Sequence, residues 1–492
     1  MYVPLKVPAG VFSNGTDLQS EGRWRAANLV RWYEGVMRPV GGWRKRFATA
    51  LTGSARGALV WVDNDASRFL AVGTHSKLYV MPAGLTPTDI TPAGYTVGRS
   101  SATYALGYGT GLYSASTFGT PRVSNAQTGT LPATTWKLEN WGEDLLACAN
   151  TDGKIYTWSP GSVTAATLLS NAPVNNRSIV VTAERFVFAL GAGGDARKVQ
   201  WSDQENNTLW VPQATNQAGS FALQTQGAIV NARRTSAGVL ILTDSDAHLA
   251  TYAGPPFIYR FDRVGVGCGL IGPNAIASAE SMAVWMGRSG FWLFDGYARS
   301  LPSDVSDYVY SDINMAQASK IFAVHNDRFG EMWFFYPSSG SVENDRYVIF
   351  NYRENHWSTG EITRTCGADL GIFDYPIMID ASGYVYDHDV GFDYSGAQPY
   401  AQTGPVQFGA GDQVMVARQL VPDERTSGDV EIEFVTNNYP NAPLTTFGPY
   451  QMSIPTDVRF TARQVRMRVQ SNRNTDWRVG VVRLEAVPGG KR

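Results

Sequence analysis

Charge is scarce in this chain of 492 residues. Lys, Arg, Asp and Glu make up 17% of it, against roughly 25% in an average soluble domain. The two signs nearly cancel, leaving −2, so no overall field draws the chain to nucleic acid or to an anionic membrane. Cysteine is scarcer still. Cys148, Cys268 and Cys366 are odd in number and far apart, which excludes a disulfide framework and fits reduced, buried thiols and folding in a cytosol. No apolar run reaches the roughly 18 residues of a membrane-spanning helix. The opening Met1-Tyr-Val-Pro-Leu-Lys-Val-Pro8 has no basic stretch ahead of an apolar core, so no secretory signal is expected. The five histidines, His75, His248, His325, His356 and His388, include no pair at metal-ligand spacing, and there is no Cys-x-x-Cys. Nucleophile elbow, phosphate loop and dinucleotide fingerprint are all missing. Gly191-Ala-Gly-Gly-Asp195 follows a strand without opening a helix and reads as a β-turn. No catalytic residue, cofactor or metal is therefore assigned.

What is plentiful is glycine, 50 residues, and aromatic side chains, 12%. Many turns and many rings suit packed sheets. The clearest stretch is Arg346–Gly360. An apolar strand from Tyr347 to Tyr352 and a polar turn, Arg353 to Asn355, lead into a second strand opening at Trp357. Related β-type runs recur at Leu59–Val62, Arg68–Val72, Trp141–Ala149, Ser178–Leu190, Val239–Thr243, Ser281–Met286, Ile321–His325 and Pro376–Asp380. Each is followed by a tight turn and a strand that begins with a small residue and carries an apolar or aromatic pair. These starts fall at Ser76, Gly153, near Arg197, Ala247, Gly290, Gly330 and Gly383. A small residue permits positive φ in the turn, and the following ring packs across the strand pair. After the first interval the spacing is about 40–53 residues, the length of one four-stranded propeller blade.

The fold class is thus read as all-β, a β-propeller over 57–404 with six blades, or seven as the alternative. The long first interval holds an insertion, 92–132, rich in Gly, Ser, Thr and Tyr, in which Thr110-Gly-Leu-Tyr113 could be part of a degenerate blade. One short helix is expected near Ser303–Lys320. From 405 to 492 the strands alternate more strictly, with Arg466, Arg468, Arg478 and Arg483 interleaved with Val465, Met467, Val469 and Val479. That pattern predicts a separate β-sandwich-like domain with one wet face.

Residues 1–56 read as an extended arm. Arg23, Arg25, Arg31, Arg38, Arg44, Lys45, Arg46 and Arg56 face only Asp17, Glu21 and Glu34, with Trp24, Trp32, Tyr33 and Trp43 between them. Either the rings pack on the body while the arginines stay wet, or Arg23, Trp24, Arg25, Arg31, Trp32, Trp43 and Arg44 form an interface, since Arg and Trp are favoured anchors there. Nucleic-acid binding by interleaved basic and aromatic residues is a weaker third reading.

Acidic clusters occur at Asp63/Asp65, Asp304/Asp307/Asp312 and Asp387/Asp389/Asp393. They read as turn aspartates. Asp387-His-Asp389 alone could offer the paired carboxylates of a glycosidase. Thr151-Asp-Gly-Lys-Ile-Tyr-Thr-Trp158 loosely resembles the Asp-box turn of sialidase propellers and reads as structural.

Three stretches carry a wider resemblance: Asn28-Leu-Val-Arg-Trp-Tyr-Glu34 running into Arg38-Pro-Val-Gly-Gly-Trp-Arg44, the hairpin Tyr347–Ser358, and Val465-Arg-Met-Arg-Val469 with Trp477–Gly480 and Val482–Glu485. In these the chain resembles the tail hub, or nozzle, proteins of short-tailed bacteriophages, the packaged-DNA stabilisation family. The resemblance implies a non-enzymatic virion protein, assembled in the host cytoplasm and forming a homohexameric ring below the portal and its adaptor. Such a ring closes the exit channel after packaging and then conducts double-stranded DNA without sequence-specific binding. It also anchors tail fibres, spikes or needles, with no integral membrane association. The alternatives are a glycan- or receptor-binding propeller using its 14 Trp and 23 Tyr, or a propeller glycosidase. A conduit should not grip phosphates, so a neutral or acidic lumen is expected.

Overall fold

A computed structural model of the chain describes residues 2–84, 86–104, 130–162, 164–279, 281–407 and 413–490. Among these residues, seven four-stranded antiparallel sheets succeed one another as blades. Blade 1 is Ala55–Val62, Arg68–Thr74, Leu78–Pro82 and Thr88–Asp89, and blade 2 runs from Trp136–Trp141 to Thr167–Leu168. Blade 3 begins at Ser178–Val181, blade 4 at Ile229–Thr235 and blade 5 at Ile276–Ser278. Blade 6 is Phe322–Asn326, Glu331–Tyr336, Arg346–Asn351 and His356–Glu361. Blade 7 takes Cys366–Ala368, Ile377–Ile379 and Val385–His388 from one end of the propeller region and its fourth strand, Trp43–Lys45, from the other. The first strand of blade 7 lies against that of blade 1, which closes the ring.

Among the described residues the blades therefore number seven, the alternative to the six that the repeat spacing favoured. The difference does not come from the insertion. Thr110–Tyr113 lies outside the described residues, and the flanking Thr103–Tyr104 and Thr130–Leu131 pair as a two-stranded stem.

Local chemistry accounts for the blades. In blade 6 every residue of Glu331–Tyr336 is buried, as expected for a strand covered on both faces. Arg346–Asn351 and His356–Glu361 pair from Arg346↔Glu361 to Asn351↔His356. Their loop is held by Asn351, whose Oδ1 accepts from the backbone N–H of Arg353 and Glu354 at 3.0 and 2.9 Å, with Asn355 at positive φ. This is an Asx-type turn. Blades interlock through large rings. Trp357 packs on Phe350 in its own blade and on Phe291 of blade 5, with ring centroids 4.8 and 4.6 Å apart, and its indole N–H donates to Pro302 O at 3.2 Å. Trp136 of blade 2 lies over Gly57 and Gly73 of blade 1, where a Cβ would collide with it.

The second unit is a β-sandwich. One sheet orders Tyr2–Leu5, Val482–Pro488, Met415–Val421 and Thr456–Ala462. The other orders Trp24–Asn28, Tyr400–Thr403, Gln464–Ser471, Val430–Asn437 and Thr445–Gln451, with Val406–Gln407 also on Gln464–Ser471. The boundaries expected at 56 and 404 thus shift. Residues 1–56 are not a separate arm. They give a strand to each sandwich sheet, a hairpin (Val30–Tyr33 with Val36–Pro39) and the closing strand of blade 7. The physical reason is continuity of the core: one buried apolar cluster runs from Ile432, Phe434 and Val469 through Trp24, Trp32 and Met37 to Trp285, Phe334 and Trp357 in blades 5 and 6. The wet face expected for Gln464–Ser471 is covered as well. Arg466 is buried and reaches Asp17 at 2.9 Å, and Arg468 stacks on Tyr400 at 3.9 Å. The short helix falls at Ser306–Asp312, followed by a 3-10 turn at Met315–Lys320.

Candidate functional site: the seam that closes the ring

Trp43–Lys45 pairs antiparallel with Val385–His388, in the register Trp43↔His388, Arg44↔Asp387 and Lys45↔Tyr386. The ladder is short, flanked by backbone bonds such as Gly42 N to Gly391 O and Arg46 N to Val385 O, both 2.8 Å, and side chains reinforce it. Trp43 stacks on His388 at 5.7 Å and donates its indole N–H to Ser395 Oγ at 3.1 Å. The buried Arg364 donates from Nε to His388 Nε2 at 2.8 Å and lies over the rings of Trp43 and Tyr386 at 5.1 and 4.9 Å. Accepting at Nε2 leaves the His388 proton on Nδ1. Burial and the nearby Arg364 charge hold His388 well below the usual histidine range. Burial also lowers Arg364, to about 10.

A second lock lies one turn of chain away. Arg31, on the strand Val30–Tyr33, donates from Nε and Nη2 to Glu331 at 3.0 and 2.9 Å, and from Nη1 and Nη2 to Asp389 at 2.9 and 3.0 Å. Its guanidinium lies 3.7 Å from the Phe329 ring centre. Asp389 also accepts from Gly41 N and Asn326 Nδ2. Burial pushes the Asp389 carboxyl up, but the Arg31 charge and these hydrogen bonds bring it below its ordinary value. Glu331, with burial dominant, is displaced upward.

These contacts decide the fate of the expected interface residues. Trp24 and Trp32 are buried 5.8 Å apart, and Arg31 is enclosed between blades 6 and 7, so these three anchor the chain to itself and not to a partner. Arg23 pairs with Asp304 at 3.0 Å, and Arg25 with Asp17 at 3.5 Å. Both pin the segment around residue 20 to the body while remaining partly open. Trp43 is half-buried at the seam and Arg44 is exposed. The structure thus brings Arg31, Trp43 and Arg44 to the closure of blade 7 and leaves Arg23, Trp24, Arg25 and Trp32 nearer the sandwich.

Asp387 and Asp389 do not form a free pair. Asp387 accepts from Arg46 at 2.7 Å and Arg44 at 3.4 Å, and Asp389 is bound by Arg31. A glycosidase acid needs a raised pKa, whereas Asp389 is lowered. Asp63 accepts from the N–H of Asp65 and Ser67, and Asp152 from that of Lys154, as turn aspartates do. Among the described residues no group of three or more His, Cys, Asp or Glu could hold a metal.

The axis of the propeller is filled. Lys137 projects from the first strand of blade 2, bonding Glu139 at 2.9 Å and Ala232 O at 3.4 Å. The space left there is about 100 Å³, lined by Gly57, Leu59, Trp136, Arg233, Phe322 and Cys366. At one end Arg56 and Lys320, both buried, share Glu343 at 2.7 and 2.9 Å. Arg56 also donates to Ser100 O, and Lys320 to Ser101 Oγ, so the base of the stem is bonded across that end.

No protein-family model matches this chain, and no curated protein matches it. Among solved structures it is similar to "The crystal structure of BamB from Moraxella catarrhalis", with 12% identity over 52% of this chain and 83% of that one, at a TM-score of 0.30.

Proposed function

We propose that the chain is a structural subunit of a short bacteriophage tail, a hub or nozzle that assembles as a homohexameric ring below the portal and adaptor. The ring would close the DNA exit channel and later conduct the genome, with fibres, spikes or needles anchored on its outside. One observation carries the reading. The first of the three stretches that resemble the tail-hub family, with Met37 inside its span, contacts both of the others, which are far from it in sequence. Leu29 N donates to Tyr347 Oη at 2.9 Å, Ser358 Oγ to Val30 O at 3.3 Å, and Val479 N to Met37 O at 3.1 Å, while Arg38 pairs with Asp476 at 3.1 Å. The resemblance therefore falls on one junction that welds propeller to sandwich, the place where a ring subunit needs rigidity. Because the axis of each propeller is filled, the DNA path in this reading is the space enclosed by six copies.

The test is negative-stain imaging and native mass spectrometry of the purified chain, alone and with tail adaptor components. A six-fold ring with a central hole is expected. Dispersed monomers under all conditions, with affinity on a glycan array, would overturn it. That outcome would favour a receptor-binding propeller, a reading supported by Phe257 and Tyr297, which stand 80% and 75% exposed on the hairpin tips of blades 4 and 5.

A further inference from the structure

The seam between blade 7 and blade 1 carries an open pocket of about 380 Å³. Its walls hold three guanidinium groups. Arg44 lies on the closing strand and Arg46 directly after its end, and both line the pocket. Arg68 comes from across the seam, at the start of the second strand of blade 1. Phe47, Phe373 and Tyr375 add aromatic surface.

The donors outnumber their acceptors. Three guanidinium groups carry fifteen N–H. Two hydrogen bonds account for the side-chain pairing of Arg44 and Arg46, both to Asp387. Among the described residues Arg68 faces Asp374 at 3.8 Å, beyond hydrogen-bond range. Arg46 is the fixed member, bonded to Asp387 and stacked 4.0 Å from the Phe373 ring centre. Arg44 and Arg68, with side chains 64% and 48% exposed, are the open ones. Three positive charges face two negative ones, Asp387 and Asp374, and the Asp374 side chain is itself 80% exposed.

We propose that this pocket is a seat for a single carboxylate carried on a small apolar or flat body. Arg44 and Arg68 clamp the carboxylate, and the body stacks against the aromatic surface. The net charge of +1 suits a monoanion, and the fork of arginine matches a carboxylate two bonds at a time. The concave, side-chain-sized shape takes an acidic side chain or a free small acid, and does not suit the convex backbone of duplex DNA. Because one clamp arm belongs to blade 1 and the other to the fourth strand of blade 7, an occupied seat bridges these two neighbouring blades. Ligand binding should therefore raise the stability of the whole ring. The inference does not depend on the tail reading.

Calorimetry and thermal denaturation of the whole chain test it with three probes: benzoate, a neutral-ended hexapeptide containing one glutamate, and a 12-base-pair DNA duplex. Sodium chloride at matched ionic strength is the baseline. Saturable binding of benzoate or of the peptide is expected, with a rise in Tm. Benzoate binding points to a free acid as the occupant, and binding of the peptide alone to an acidic protein segment. The double variant Arg44→Gln/Arg68→Gln should weaken binding at least tenfold, while Arg299→Gln, an exposed arginine of blade 5, should leave it unchanged. If the glutamine variant melts early, Arg44→Lys/Arg68→Lys keeps the charge, loses the fork and should show the same tenfold loss. No saturable binding above the chloride baseline, equal binding by the double variants, or binding of DNA alone would each overturn the proposal.

Discussion

Replacing Arg31 by methionine keeps much of the apolar stem and removes the guanidinium that holds Glu331 and Asp389. Arg31 and both carboxylates are almost fully enclosed, with side-chain exposures of 3%, 2% and 8%. Breaking a buried pair by removing one member costs about 3–5 kcal/mol, because an uncompensated charge is left behind. Here two would remain, so the upper half of that range is expected at pH 7. The effect should also depend on pH. In the native chain Asp389 lies below its ordinary value. Its contribution is present above the unfolded carboxylate pKa of about 3.9 and is lost as pH falls through the lower folded value. Glu331 lies above its ordinary value, so it has the opposite sign and costs stability as pH rises past the unfolded carboxylate range. Without Arg31 both carboxyls are governed by burial and both take the Glu331 sign. Protonation then relieves the variant at both carboxyls and the parent at Glu331 alone. The gap between them should narrow as pH is lowered from 7 to 5, as read by urea denaturation at matched pH. A gap below about 1 kcal/mol, or one of constant size across that range, would refute the buried-lock account. Glu331→Gln added to the methionine variant should recover part of the loss.

Other consequences are as direct. Trp357→Ala should cost about 3–5 kcal/mol, the range for a core tryptophan, since it empties the contact between blades 5 and 6; an unchanged urea midpoint would show the ring is not packed there. Trp43→Ala, at a half-buried site, should cost less, roughly 2 kcal/mol by the same scaling. It should speed hydrogen exchange at the Asp387 and His388 amides more than in blade 3. All five histidines have pKa values lowered, with burial the leading cause. A histidine lowered on folding binds its proton more readily in the unfolded chain, so stability should decline as pH falls below about 6.5. A Tm that stays flat between pH 8 and 5 would contradict this.

Much of the propeller was legible because its signals are local. The hairpin at Arg346–Gly360 needs only an apolar run, an Asn-held loop and a ring to follow, all within fifteen residues. The blade count was legible in part, since the seven small-residue starts fall one to a blade, but the last closure was not. The strand that completes blade 7, Trp43-Arg-Lys45, is too short for a period, and its mate lies where residue separation reaches 343. The same distance misled the reading of the arginines before residue 57. Locally they outnumber their acids, which suggests charge held for a partner. In the folded chain Arg23, Arg31, Arg38 and Arg56 find Asp304, Glu331, Asp389, Asp476 and Glu343, all brought in from beyond residue 300. Sequence alternation likewise marked Arg466 as wet because it could not show the segment around Asp17 folding over that sheet.

Synthesis on the ribosome gives the closure of blade 7 a meaning in time. Trp43–Lys45 leaves the exit tunnel long before Val385–His388 exists. At about 5–20 residues per second, a separation of 343 residues is roughly 20–70 s of translation. Throughout that interval Trp43 has no His388 to stack on and Arg31 no Glu331 or Asp389 to hold. The early segment must stay unpaired while six blades are made beside it, and a chain that stops before residue 385 cannot close. Ring closure therefore acts as a late checkpoint, and the seam surface is displayed only by chains that have passed it.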